Sequence, residues 1–151
     1  MSTRGYIFFR INRKYYVIYL KCDAYRSYVI EKLHEYIKKH GYRIFKQHFI
    51  NKAKNSCKSY KENGFHQIQS THIDDIMDCD MSHYIENYEE CLELLDGIMI
   101  EYAYVINFDS DILNIADMIY DEENGVSSYD FSDYGNFLDE PDKLLELITS
   151  Y

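Results

Sequence analysis

The chain predicts an α+β fold, with an antiparallel sheet built from two hairpins and covered by two or three helices. Two pairs of aromatic and β-branched runs flank short polar turns, at Tyr6–Ile11 with Tyr15–Leu20 and at Tyr102–Phe108 with Ile112–Ile115. Other stretches repeat apolar residues at helical spacing, most cleanly over residues 82–96. The strands come in adjacent pairs, without the strand–helix alternation that marks a parallel sheet. A length of 151 residues fits one compact domain, 1–151, and no repeat or linker divides it.

Each element has its own local reason. The first hairpin turns at Asn12-Arg13-Lys14, and its strands are apolar on both faces, which places it in the middle of a covered sheet. Tyr25, Val29, Leu33, Tyr36 and Ile37 then form a helical stripe. Gly41 follows Lys38-Lys39-His40, a C-terminal cap with cations at the negative end of the helix dipole. Residues 42–61 permit a second helix through Ile44, Phe45, His48, Phe49 and Ala53, broken at Glu62-Asn63-Gly64. Residues 65–81 read as loop with one short strand. A helix from about Ser82 to Asp96 is expected to lay Tyr84, Tyr88, Leu92 and Leu95 on the sheet, with Cys91 in the core and Gly97 ending it. Residues 120–140 read as an acidic surface loop pinned by aromatics. Pro141 opens a short closing helix through Leu144, Leu145 and Ile148.

Composition narrows the class. With 46% hydrophobic and 17% aromatic residues the chain is not intrinsically disordered. No apolar run reaches the roughly 20 residues of a membrane span, and no signal-peptide core is present, so a soluble, cytoplasmic protein is expected. Cys22, Cys57, Cys79 and Cys91 form no CxxC pair and read as reduced structural thiols. One proline, no tryptophan and 17 tyrosines, with abundant Ile, Lys and Asn, point to AT-rich coding of the kind found in phages, large DNA viruses and low-GC bacteria.

The net charge of −10 is unevenly distributed. Residues 1–61 hold fifteen of the sixteen Lys/Arg against Asp23, Glu31 and Glu35, a surplus of +12; residues 62–151 hold the other 23 acids and only Lys143, a balance of −22. Either the halves fold together and cancel, or one face meets a charged partner. The acidic half suits a basic protein or a protein that normally holds nucleic acid. The basic half, with Arg10, Arg13, Lys14 and Tyr15 and then Arg43, Phe45, Lys46 and Phe49, suits nucleic acid itself as the secondary reading.

Catalytic motifs are absent. There is no phosphate loop, dinucleotide glycine pattern, nucleophile elbow or paired-histidine zinc helix. An EF-hand register fails because Pro141 stands where the bidentate acid belongs. His66, His72, Asp74, Asp75, Asp78, Cys79 and His83 concentrate ligand types without a zinc spacing, so neither metal nor cofactor is expected. Ser2 would become an N-terminal nucleophile after removal of Met1.

Two blocks carry a resemblance. Met1-Ser2-Thr3-Arg4-Gly5 precedes Ile7-Phe8-Phe9, a turn with Lys14, then Tyr19, Asp23 and Tyr25; far along comes Glu101-Tyr102-Ala103-Tyr104-Val105-Ile106-Asn107-Phe108-Asp109. In both, the chain resembles small phage and bacterial proteins that open with Met-(Gly/Ser)-Thr-Arg-Gly and carry a later Glu-(Trp/Tyr)-x-Tyr-x-(Ile/Val)-x-x-Asp segment. Members with Gly at the second position have no N-terminal nucleophile. The resemblance implies a hairpin-first α+β domain. This chain departs from it where an Asn-His pair becomes Leu20-Lys21, a Pro becomes Arg26, and glycines become Tyr28-Val29-Ile30. Thr3, Arg4, Asp23, Tyr25 and Glu101 remain as candidates for a hydrolase-like site beside the first hairpin. Alternatively Thr3-Arg4-Gly5 shapes the strand start, and Arg4 pairs with Asp23 or Glu101.

The leading expectation is a small viral- or phage-type accessory protein without enzymatic activity. It would bind a host or viral protein through an acidic face that includes Asp121, Glu122, Glu123, Asp130 and Asp133. The sequence leaves the oligomeric state open.

Overall fold

The computed structural model describes residues 3–54, 58–59, 69–81, 83–96, 100–135, 138 and 140–149. The first hairpin forms as expected: β1 (Gly5–Ile11) pairs antiparallel with β2 (Lys14–Leu20). Its two-residue turn holds Asn12 and Arg13 at positive φ, 51° and 64°, the twist a tight hairpin requires. That conformation disfavours a long side chain such as Arg13. It is held by Asp109, whose carboxylate accepts the Asn12 and Arg13 N–H groups at 2.7 and 2.9 Å.

Two helices follow, α1 (Arg26–His40) and α2 (Tyr42–Ala53). Between them Gly41 sits at φ 82°, ψ 147°, and donates its N–H to Ile37 at 2.8 Å, so the expected glycine cap is present. Short strands β3 (Lys58–Ser59), β4 (Gln69–Thr71) and β5 (His83–Tyr84) surround a 3₁₀ turn at Ile73–Asp78. Then come α3 (Tyr88–Asp96), β6 (Tyr102–Asn107), β7 (Ile112–Asp121), β8 (Val126–Gly135), a 3₁₀ turn at Pro141–Lys143, and α4 (Leu144–Thr149).

The fold is α+β, but its sheet is mixed. Its strand order is β4-β2-β1-β6-β7-β8; β1 runs parallel to β6, and β2 parallel to β4. The expectation of a purely antiparallel sheet from two hairpins is therefore corrected. Turn chemistry determines pairing within each hairpin. How the hairpins face each other depends on the long route through α1, α2 and α3, which no local pattern records. The junction is tight at Gly5, where a Cβ would lie 2.6 Å from the Tyr102 carbonyl oxygen and 2.9 Å from Ala24 Cβ.

Residues 120–140 are not a loop. Most of them belong to the β7–β8 hairpin, in which Ile112 to Asp121 pair with Gly135 to Val126. Serine and aspartate are poor strand formers, so an edge strand rich in them reads as loop. The expected helix from Ser82 is also shorter. It begins at Tyr88, where Asn87 accepts the Glu90 N–H at 2.9 Å and donates its amide to the Glu90 carboxylate at 3.0 Å. Tyr84 therefore lies in β5, and Ile85 is bound to Tyr15 by reciprocal backbone hydrogen bonds of 2.9 and 2.7 Å. Tyr88 is 38% exposed and Leu92 only half-buried, so the helix seats on Cys91 and Leu95.

Strand alternation divides the interior into two layers. On one face Ile7, Phe9, Tyr16, Ile18, Tyr104, Ile106, Leu113 and Ile115 pack against α1, α2 and α4. On the other, Tyr6, Phe8, Val17, Ala103, Val105 and Ala116 meet Cys91 and Leu95 of α3. Among the described residues the first cluster holds 26 buried side chains and the second 11, so one face is thickly covered and the other thinly.

Candidate functional site

The thin face carries a cleft of about 450 Å³ beside α3 and β8, with Tyr15, Tyr88, Val105 and Phe131 as walls and Arg10, Asn107, Asn114 and Asp133 at its mouth. Phe8, Cys91, Leu92, Leu95 and Ala103 continue the walls into an apolar hollow. Phe131 is 43% exposed and meets Tyr88 edge-on at 6.5 Å, so two large rings stand open to water. Arg10 lies over the Tyr15 ring at 5.5 Å. Its Nε is buried and makes no hydrogen bond, although Asp109 Oδ2 is 3.5 Å away, an ion-pair distance. Asp133 accepts from the Asn114 amide across the β7–β8 pair.

The two charged halves of the chain interlock. Arg26 pairs with Asp117, Lys32 with Asp74, Lys38 with Asp142 and Lys46 with Asp111, at 2.9–3.5 Å. Each pair joins residues 1–61 to residues 62–151. On the thin face, Glu86, Glu89 and Glu93 are exposed, and none belongs to an ion pair among the described residues. Exposed carboxylates outside any ion pair thus stand on and beside α3, as Glu31, Asp75, Asp78, Glu122 and Asp130 do elsewhere among the described residues.

The five acids expected from the sequence to form a contact face, within residues 120–139, do not share one surface among the described residues. Asp130 shares strand parity with Tyr134, which packs toward α1, whereas Asp133 shares it with Tyr129, which packs toward α3. The two acids thus point to opposite faces of the sheet. Glu122 and Glu123 are exposed in the β7–β8 turn, and the side chain of Asp121 lies outside the described residues. Of the four whose side chains are described, Asp133 alone lines the cleft. Sequence reasoning missed Tyr88 and Phe131 as a pair because they meet only through the β8 pairing.

The candidates beside the first hairpin meet mainly through their backbones. Ala24 N–H donates to the Thr3 carbonyl at 3.1 Å, and Glu101 N–H to the Arg4 carbonyl at 3.0 Å. Gly5 and Tyr102 are partners in the β1–β6 register, so the two blocks of the resemblance lie side by side. Tyr25 occupies the N-cap of α1 without a side-chain cap bond. Arg4 is exposed and pairs with neither Asp23 nor Glu101 among the described residues, which corrects that expectation. Ser2 lies outside the described residues.

Asp23 has a different partner. Its carboxylate lies 2.7 Å from His72 Nε2, and Cys22 completes a group whose ligand atoms all lie within 4.8 Å of one another. Asp23 itself sits at φ 56°. His72 was among the ligand types singled out in the sequence, but Cys22 and Asp23 were not, since they arrive from the far end of β2. His66 and Cys57 lie outside the described residues. Cys79 and Cys91 are buried, and burial pushes their thiols up to about 11 and about 12, which leaves them protonated and inert.

No protein-family model, curated protein or solved structure matches this chain. Among the described residues no helix is long and apolar enough to cross a membrane.

Proposed function

We propose that this chain is a non-enzymatic binding protein, a viral- or phage-type accessory factor whose α3–β8 face docks a basic protein partner. One observation carries the reading: the open Tyr88–Phe131 cleft lies on the same thin face as Glu86, Glu89, Glu93 and Asp133. Exposed aromatic rings supply the contact area from which binding hot spots are built. The surrounding carboxylates select a cationic partner and speed its approach. Asp133 is the point shared with the acidic contacts expected from the sequence; the interface is centred on α3, away from the β7–β8 turn.

The test is capture from host lysate at rising salt, with the wild type beside a Glu89→Lys/Glu93→Lys variant and a Phe131→Ala variant. A partner held at low salt, released as salt rises, and lost by both variants supports the reading. Capture unchanged by either variant overturns it.

A further inference from the structure

We infer that Cys22, Asp23 and His72 form a binding site for a borderline-soft divalent transition cation such as Zn²⁺, independent of the α3–β8 face. Thiolate, carboxylate and imidazole are the donors such ions take, and three protein ligands leave a fourth position for water. On a tetrahedral ion with metal–ligand distances of 2.0–2.3 Å, the donor atoms stand about 3.3–3.6 Å apart. Here they already lie within 4.8 Å, so roughly 1 Å of adjustment closes the site. All three residues are half-buried, which shelters the group while leaving a path for the ion.

The surroundings fit a ligating histidine. In the metal-free arrangement His72 Nδ1 accepts the Asp74 N–H at 3.2 Å, which places the ring proton on Nε2, facing Asp23 Oδ2 at 2.7 Å. A cation would take the place of that proton. The ring proton then moves to Nδ1, which gives up the Asp74 N–H and donates instead to Asp74 Oδ2, 3.3 Å away. A carboxylate behind a ligating imidazole fixes its tautomer and strengthens it as a donor. Asp74 is itself held by the Tyr28 hydroxyl at 2.8 Å and by Lys32 at 3.5 Å, and the Tyr28 ring meets His72 edge-on at 5.7 Å. Loss of the Cys22 thiol proton to solvent balances the step: M²⁺ enters, an Sγ–M bond replaces Sγ–H, and the imidazole stays neutral.

Co²⁺ titration of the reduced full chain tests the site, because thiolate-bound Co²⁺ gives a charge-transfer band in the near ultraviolet. One equivalent should bind with that band, and Zn²⁺ should displace it. Cys22→Ser should abolish the band, while Cys57→Ser and Cys91→Ser keep it. His72→Ala and Asp23→Asn should weaken Zn²⁺ binding by more than about 100-fold, and Asp74→Asn by about 10- to 100-fold. Unchanged far-ultraviolet circular dichroism in each variant separates ligand loss from unfolding. No thiolate band in the wild type, or Zn²⁺ binding undiminished in the folded Cys22→Ser variant, overturns the inference.

Discussion

The two faces of the sheet are built from the same strands and solve different problems. Toward α1 and α2, Phe9, Phe45, Phe49 and Phe108 form a continuous aromatic core, with Phe9 and Phe49 stacked at 4.4 Å. Its rim is closed by ion pairs between the basic and acidic halves. Toward α3, a nine-residue helix covers only part of the strands, and Tyr88 and Phe131 remain open. One face holds the molecule together; the other leaves apolar surface open to water.

The largest expected effects lie on the thick face. Phe49→Ala should cost about 3–5 kcal/mol, and Leu95→Ala on the thin face should fall below it, near 2–3 kcal/mol, because α3 can settle into the gap. Chemical denaturation of both variants decides this; equal losses would break the distinction between the faces. Gly5→Ala should cost about 1–3 kcal/mol by forcing β1 away from β6. A variant as stable as the parent would mean that the Gly5–Tyr102 approach is not a close fit. Leu92→Ala, at a half-buried position, should cost only about 1–2 kcal/mol, less than a full core deletion. A loss as large as that of Phe49→Ala would mean that Leu92 is a full core residue and α3 is seated deeper on the sheet.

The smallest effect is electrostatic and belongs to the closing ion pairs. Burial works to raise the Asp111 carboxyl, but hydrogen bonds from Tyr42 and Lys46 outweigh it and hold it below its ordinary value. Asp142 is lowered by hydrogen bonds from His34 and Lys38. A carboxylate lowered on folding adds stability above its unfolded pKa of about 4, and that stability is lost as pH falls through the folded value. The Asp111→Asn/Asp142→Asn variant should therefore lose stability at neutral pH and show a shallower acid limb. Parallel stability–pH curves for variant and parent would separate these pairs from the closure of the thick face.

What was legible in the sequence followed local chemistry. The Asn12-Arg13 turn, the Gly41 cap and the Val29–Leu33–Ile37 stripe are each decided within a few residues, and each is where the pattern placed it. The β7–β8 hairpin was hidden because half of its outer strand is Ser and Asp. Asp130 and Asp133 on that edge discourage pairing with another chain. The α3 boundary was hidden because Tyr84 and Ile85 continue the helical spacing while belonging to strand contacts. Cys22, Asp23 and His72 stayed invisible as a group for a different reason: spacing rules see ligands on one segment, and these meet across the sheet edge.

The parallel seam between β1 and β6 has a consequence for synthesis. Asn12 and Asp109, which lock that seam, are 97 residues apart. At about 5–20 residues per second the ribosome needs roughly 5–20 s to deliver the second partner after the first. For most of that interval β1 has an unsatisfied edge; α1 and α2 are already made to cover one face of the hairpin, but the other face waits for α3. Early association with a chaperone, or slow productive folding set by this late closure, is what the topology demands of the nascent chain.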